Sequence, residues 1–203
     1  MPVTASVRVF ELLAARLCHD LISPVSAIAN GAELLGENDP DFVREAVALV
    51  ANSAHDAAAR LQFFRFAYGF GGGGLAGPAP HQLAAGYFGG SAARCDYRET
   101  ARALPLDQQK LACAMLIVAG DALPRGGHLV LGAASGGPEI DATGDAITLS
   151  TETRAALTLV IEPAELTTRT VTAYFAGLLA ASQDRLLVVS ERPGGFRLGA
   201  PPP

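Results

Sequence analysis

The sequence predicts an α+β protein: an N-terminal helical hairpin that forms a dimeric four-helix bundle with a second copy, followed by a C-terminal α/β sandwich. Three observations lead there. Apolar residues recur at helical spacing through two long stretches before residue 70. A glycine- and proline-rich run from Gly69 to Pro80 then removes backbone preference and reads as a linker. Beyond it, helix-like and strand-like segments alternate, as in a sheet covered on one face by helices. The expected domains are residues 1–70 and 78–203.

The first helix is expected from about Ser6 to Leu35, because Phe10, Leu13, Leu17, Leu21, Ile28 and Leu35 stay on one side of a 3.6-residue repeat. Gly36-Glu37-Asn38 breaks it. Asp39 followed by Pro40 gives the next helix a carboxylate cap and a proline at a position that needs no N–H donor. That helix should reach Tyr68, with Val43, Val47, Val50, Ala54, Ala57, Leu61 and Phe64 as its apolar seam. The short connection makes the pair antiparallel. Two helices, each about 40 Å long, cannot cover both apolar faces by pairing once, so a homodimer is expected.

In the C-terminal part, His81 to Phe88 reads as a short helix, Arg94 to Arg98 as a strand and Leu106 to Leu123 as a longer helix. Gly126-Gly127 makes the following turn. Further strands are expected at His128–Gly132, Ala146–Ser150, Ala156–Ile161, Leu186–Ser190 and Phe196–Leu198, with a helix at about Thr168–Ala181.

Composition narrows the function classes. Half of the 203 residues are hydrophobic and 17% are charged, which suits a packed core and excludes a disordered tail. Lys plus Arg number 15 against 20 Asp plus Glu, a net charge of −5, so the basic field of a nucleic-acid binder is missing. Cys18, Cys95 and Cys113 are odd in number and without CxxC spacing, which argues against disulfides or a zinc ribbon and fits a cytoplasmic location. No uninterrupted apolar run reaches 18 residues and the first ten residues lack signal-peptide character, so no membrane association is expected.

The chemistry concentrates in Arg16-Leu17-Cys18-His19-Asp20-Leu21-Ile22-Ser23-Pro24. At 100° per residue, Arg16, Ser23, Ser26, Asn30 and Glu33 fall within about 60° of His19, whereas Leu17, Leu21, Ile28 and Leu35 lie on the far side. His19 therefore faces solvent or a partner. Arg16, Ser23, Pro24, Ser26 and Asn30 are the expected partner-binding residues. Pro24 removes one intrahelical hydrogen bond and should bend the helix just after His19. Imidazole, with an ordinary pKa near 6.5, is a usable nucleophile at neutral pH. Asp20 can orient the ring or stabilise its cation, and Arg16 can balance phosphate charge. Cys18 reads as a small buried hydrophobe, and His55, beside Asp56 but without a following proline, as a solvated histidine.

His19-Asp20-Leu21-Ile22-Ser23-Pro24 resembles the H-box of histidine kinase dimerisation domains. The wider stretch from Arg16 to Val25, with Ala27-Ile28-Ala29-Asn30-Gly31 and Glu33-Leu34-Leu35, resembles the ChpT-type bacterial histidine phosphotransferases. Ala122-Leu123-Pro124-Arg125-Gly126-Gly127 and Val171 to Ala180 are also similar to that family. The resemblance implies catalytic residues His19, which takes the phosphoryl group, and Asp20, its acidic neighbour. It implies a C-terminal domain like a degenerate histidine kinase ATP-binding domain. It also implies, as partners, the receiver domains of a hybrid histidine kinase and of response regulators, each bringing its own aspartate and Mg²⁺. Kinase ATP domains hold Mg²⁺ through helical asparagines, but Ile117 and Asp121 stand at those positions here, and Asp141-Ala142-Thr143-Gly144-Asp145 only superficially matches the DxGxG motif. No cofactor is therefore expected on this chain. The rival readings are an autophosphorylating histidine kinase and a non-catalytic dimeric docking module.

Overall fold

The computed structural model describes residues 7–36, 39–69 and 77–202. Most of the glycine run and the Glu37-Asn38 part of the helix break lie outside the described residues. The chain is α+β, with an N-terminal helical hairpin and a C-terminal five-stranded sheet covered by helices.

Helix α1 spans Val7–Leu34 and α2 spans Pro40–Tyr68. Asp39 caps α2 as expected, its carboxylate accepting from the Asp41 N–H at 2.9 Å, with Pro40 at the first helical position. The hairpin is tight. A Cβ on Gly31 would lie 2.7 Å from Val50 Cγ2 and 3.4 Å from the Ala46 carbonyl, so only glycine lets the two backbones approach this closely. Helix α1 runs unbroken through Pro24, which is buried rather than displayed on the surface.

The inward faces are also rotated from expectation. On α1 the buried residues are Val9, Leu13, Pro24 and Gly31, while Phe10 is 63% and Ile22 is 64% exposed. On α2 they are Ala46, Ala57, Phe63, Phe64 and Ala67, and Val47 and Leu61 face outward. The hairpin thus has two apolar sides, and the sequence periodicity merged them. By length and composition α1 could cross a membrane, with a mean hydropathy of 1.3 over its most apolar stretch. In the fold one side of it packs inward, and it carries the Arg16–Asp20 ion pair in its middle.

Helix α3 (Pro80–Gly89) leads into β1 (Ala93–Tyr97), and α4 (Glu99–Arg102) and α5 (Leu106–Asp121) cross over to β2 (Gly127–Ala134), which lies parallel to β1. β3 (Gly137–Thr143) returns antiparallel to β2. Helix α6 (Thr151–Leu157), a 3₁₀ turn (Pro163–Glu165) and α7 (Val171–Ala181) precede β4 (Val188–Arg192) and β5 (Gly195–Gly199). The sheet order is β1-β2-β3-β5-β4. Leu129, Leu131, Ile140, Ala142, Phe196 and Leu198 alternate onto its buried face. Every residue of α5 from Leu111 to Ala119 is buried, as befits a central helix enclosed on all sides.

Two expected strands are not strands. Residues 146–150 carry no regular structure and do not pair with the sheet, and residues 156–161 contain the end of α6 and a turn. The strand in their place is β3. It joins β2 through Ser135-Gly136, both with positive φ (50° and 78°), the backbone of a two-residue hairpin turn.

A single hydrophobic core joins the hairpin to the C-terminal lobe: Val9, Leu13, Phe63, Phe64 and Ala67 cluster with Leu83, Phe88 and the α5 residues. Phe63 stacks on Tyr87 with centroids 4.4 Å apart and meets Phe88 edge-on at 6.4 Å. The Tyr68 hydroxyl hydrogen-bonds Thr172 at 3.2 Å across the same junction. Burial pushes the Tyr68 pKa up to about 12, so this phenol stays protonated across the physiological range.

Candidate phosphoryl-accepting site

His19 stands on the ridge of α1 between its inward and outward apolar faces, with its side chain 82% exposed. The sequence projection placed it outward, and there it lies. Its Nδ1 lies 3.1 Å from Asp20 Oδ1. A carboxylate can only accept, so in the neutral ring this contact favours the Nδ1–H tautomer, which leaves the Nε2 lone pair on the side away from Asp20.

Asp20 is itself held. Arg16 Nε donates to Asp20 Oδ2 at 2.7 Å, one turn apart on α1, and Arg16 Nη2 donates to Asp121 Oδ1 at 2.8 Å, at the end of α5. Arg16 is therefore not a free cation on the His19 stripe. Its side chain is 16% exposed and that of Asp20 is 11% exposed. Burial works against the Arg16 charge, yet Asp121 and Asp20 outweigh it and raise the guanidinium pKa above its ordinary value. Asp121 is the residue that sequence reasoning missed as a functional partner; it had stood out only as a substitute for an asparagine. Ser23, Ser26 and Asn30 are exposed along the stripe beyond His19, and buried Pro24 is removed from it.

Other candidates resolve simply. Cys18 is exposed, contrary to the expectation of burial, because it lies on the outward apolar side of α1. His55 is exposed, and its neighbour Asp56 pairs with Arg60 at 2.9 Å. Asp141 is engaged across strands by Arg197, which donates to both its oxygens at 2.7 and 2.6 Å. That bond holds the Asp141 carboxyl below the usual carboxylate range. A cavity of about 630 Å³ lies beside the site, lined by Arg16, Asp121, Thr148, Ser150, Arg169 and Thr172 among others. Among the described residues, no group of three or more His, Cys, Asp or Glu side chains is placed to hold a metal ion.

A family model described as the histidine phosphotransferase C-terminal domain matches residues 79–194. The chain belongs to this family. Its similarity to known proteins extends further. It is 41% identical over 137 residues to the protein phosphotransferase ChpT of Brucella abortus (strain 2308), an alignment spanning 64% of each chain. It also superposes on a 1.7 Å structure of a bacterial phosphotransferase with a TM-score of 0.76 and 29% identity, covering 98% of this chain and 99% of that one. The match to the family model lies wholly in the C-terminal lobe, whereas His19 lies in the hairpin, which the structural superposition includes.

Proposed function

We propose that this family member is a histidine phosphotransferase of a phosphorelay, which takes a phosphoryl group onto His19 from one receiver domain and passes it to another. The observation that carries this reading is the His19 ring itself: exposed, with Nδ1 3.1 Å from Asp20 Oδ1 and Nε2 on the side away from that carboxylate. In the forward step the Nε2 lone pair attacks the phosphorus of a receiver aspartyl phosphate. The N–P bond forms as the P–O bond to the aspartate breaks, and the aspartate leaves as a carboxylate. The Nδ1 proton stays in place, and Asp20 stabilises the positive charge that develops on the ring. Reversing the step on a second receiver completes the relay, with Mg²⁺ supplied by the receivers. Ser23, Ser26 and Asn30 offer the polar stripe on which a receiver would sit.

The same reading makes the chain a cytoplasmic homodimer. Val7, Phe10, Ile22 and Val25 on α1, with Phe42, Val47 and Leu61 on α2, are large exposed apolar residues on a hairpin whose other side is already buried. A second copy would cover them as a four-helix bundle.

Incubating the chain with radiolabelled phosphorylated receivers of hybrid kinases, and separately with labelled ATP and Mg²⁺, tests the reading. Label should arrive from at least one receiver and not from ATP. Label from ATP on the isolated chain would make it an autokinase, and no transfer from any receiver would leave a docking module. Asp20→Asn should slow uptake by about tenfold, because the amide oxygen still accepts from the ring N–H but no longer carries the charge that offsets the developing cation, a difference of about 1–1.5 kcal/mol, while receiver binding changes little. Equal losses in rate and binding would count against an orienting role.

A further inference from the structure

We propose that Asp121 is a positioning residue for His19: from the C-terminal lobe it fixes Arg16, which fixes Asp20, which fixes the imidazole. The inference deepens the phosphohistidine reading and rests on it. Three contacts of 2.8, 2.7 and 3.1 Å run without interruption from Asp121 to the ring.

The guanidinium is what makes the chain of contacts transmit. Arg16 uses Nε for one carboxylate and Nη2 for the other, and those nitrogens belong to one rigid plane, so neither contact can swing without turning the other. A single contact to Asp20, one turn away on the same helix, would leave the far end of the long Arg16 side chain free to turn about its own bonds. Asp121 supplies the second anchor, and it sits on the most enclosed helix of the lobe, whose Leu111–Ala119 segment is buried throughout.

The fold itself has little use for an acid there. Asp121 is the last residue of α5, where the helix dipole presents its negative end and disfavours a carboxylate. Although its outer edge is exposed, the protein packed around its carboxylate pushes its pKa up, and Arg16 is the group that pulls it back. The placement gains its reason from the arginine across the junction.

The experiment measures phosphoryl uptake from a phosphorylated receiver by the full chain, together with the His19 tautomer by ¹⁵N NMR in the unphosphorylated protein. Asp121→Asn keeps the shape and removes the charge, at a side chain 39% exposed, so folding survives. It should slow uptake roughly tenfold, leave receiver affinity within about twofold, and lower the share of the Nδ1–H form, an effect of the size seen between directly coupled residues. Combined with Arg16→Gln, it should add nothing to the loss from Arg16→Gln alone. Tyr68→Phe removes another hydrogen bond across the same junction without touching this chain of contacts, and should change neither readout. Wild-type uptake by Asp121→Asn, an unchanged tautomer ratio, or additive losses with Arg16→Gln would each overturn the proposal. Failure of the wild-type chain to take phosphate would instead sink the phosphohistidine reading, and the tautomer measurement would still decide whether Asp121 positions the ring.

Discussion

Replacing His19 by alanine is expected to abolish phosphoryl uptake while leaving the protein folded and its oligomeric state unchanged. The side chain is 82% exposed and its one hydrogen bond is to Asp20, so its loss opens no cavity. A surface change of this kind moves stability by about 0.5 kcal/mol or less, and alanine is the better helix former. Uptake, by contrast, has no substitute nucleophile at this place. His55 is exposed on α2 and makes no hydrogen bond to its neighbour Asp56, whose carboxylate is engaged by Arg60, and half-buried His81 packs edge-on against Tyr97 at 6.3 Å. Acid-labile label on the wild-type chain and none on His19→Ala, with superimposable melting curves, is the expected result. Persistent label on the variant would move the acceptor to another histidine.

The largest expected loss of stability comes from Phe63→Ala. Phe63 is fully buried in α2 and packs against Tyr87 and Phe88 of α3, so its removal leaves a cavity where the hairpin meets the lobe. Large aromatic-to-alanine changes in such places cost about 3–5 kcal/mol. Urea unfolding followed by circular dichroism should show a midpoint well below that of the parent chain with a similar slope. A cost below about 1 kcal/mol would mean that the aromatic cluster relaxes to fill the gap and that the junction is softer than its geometry implies.

Much of the fold is legible where local chemistry and long-range packing agree. Helix α2 reads correctly to both ends because Asp39-Pro40 caps it and Gly69 stops it, and those signals are local. Strand β3 escapes notice because it opens with Gly137-Pro138, residues that normally interrupt a strand, and is defined by pairing on both sides rather than by its own propensity. The apolar residues around Ala156 read as a strand because a run that short fits either period; Ser150, whose side chain accepts from the Thr153 N–H, settles the segment as helix α6. The two apolar sides of the hairpin blur together because a helix with apolar residues on its outward as well as its buried side has no clean polar face. At the site, His19 and Asp20 are adjacent and readable. Asp121 is 105 residues from Arg16, and no spacing rule connects them.

The shared core at the base of the hairpin has a practical consequence for anyone rewiring such circuits. A cassette carrying only Val7–Tyr68 would present Phe63, Phe64 and Ala67 to water together with the outward ridge, and would be a sticky, poorly soluble fragment. Chimeras should therefore exchange single exposed residues of α1, or transplant helices and lobe as one piece.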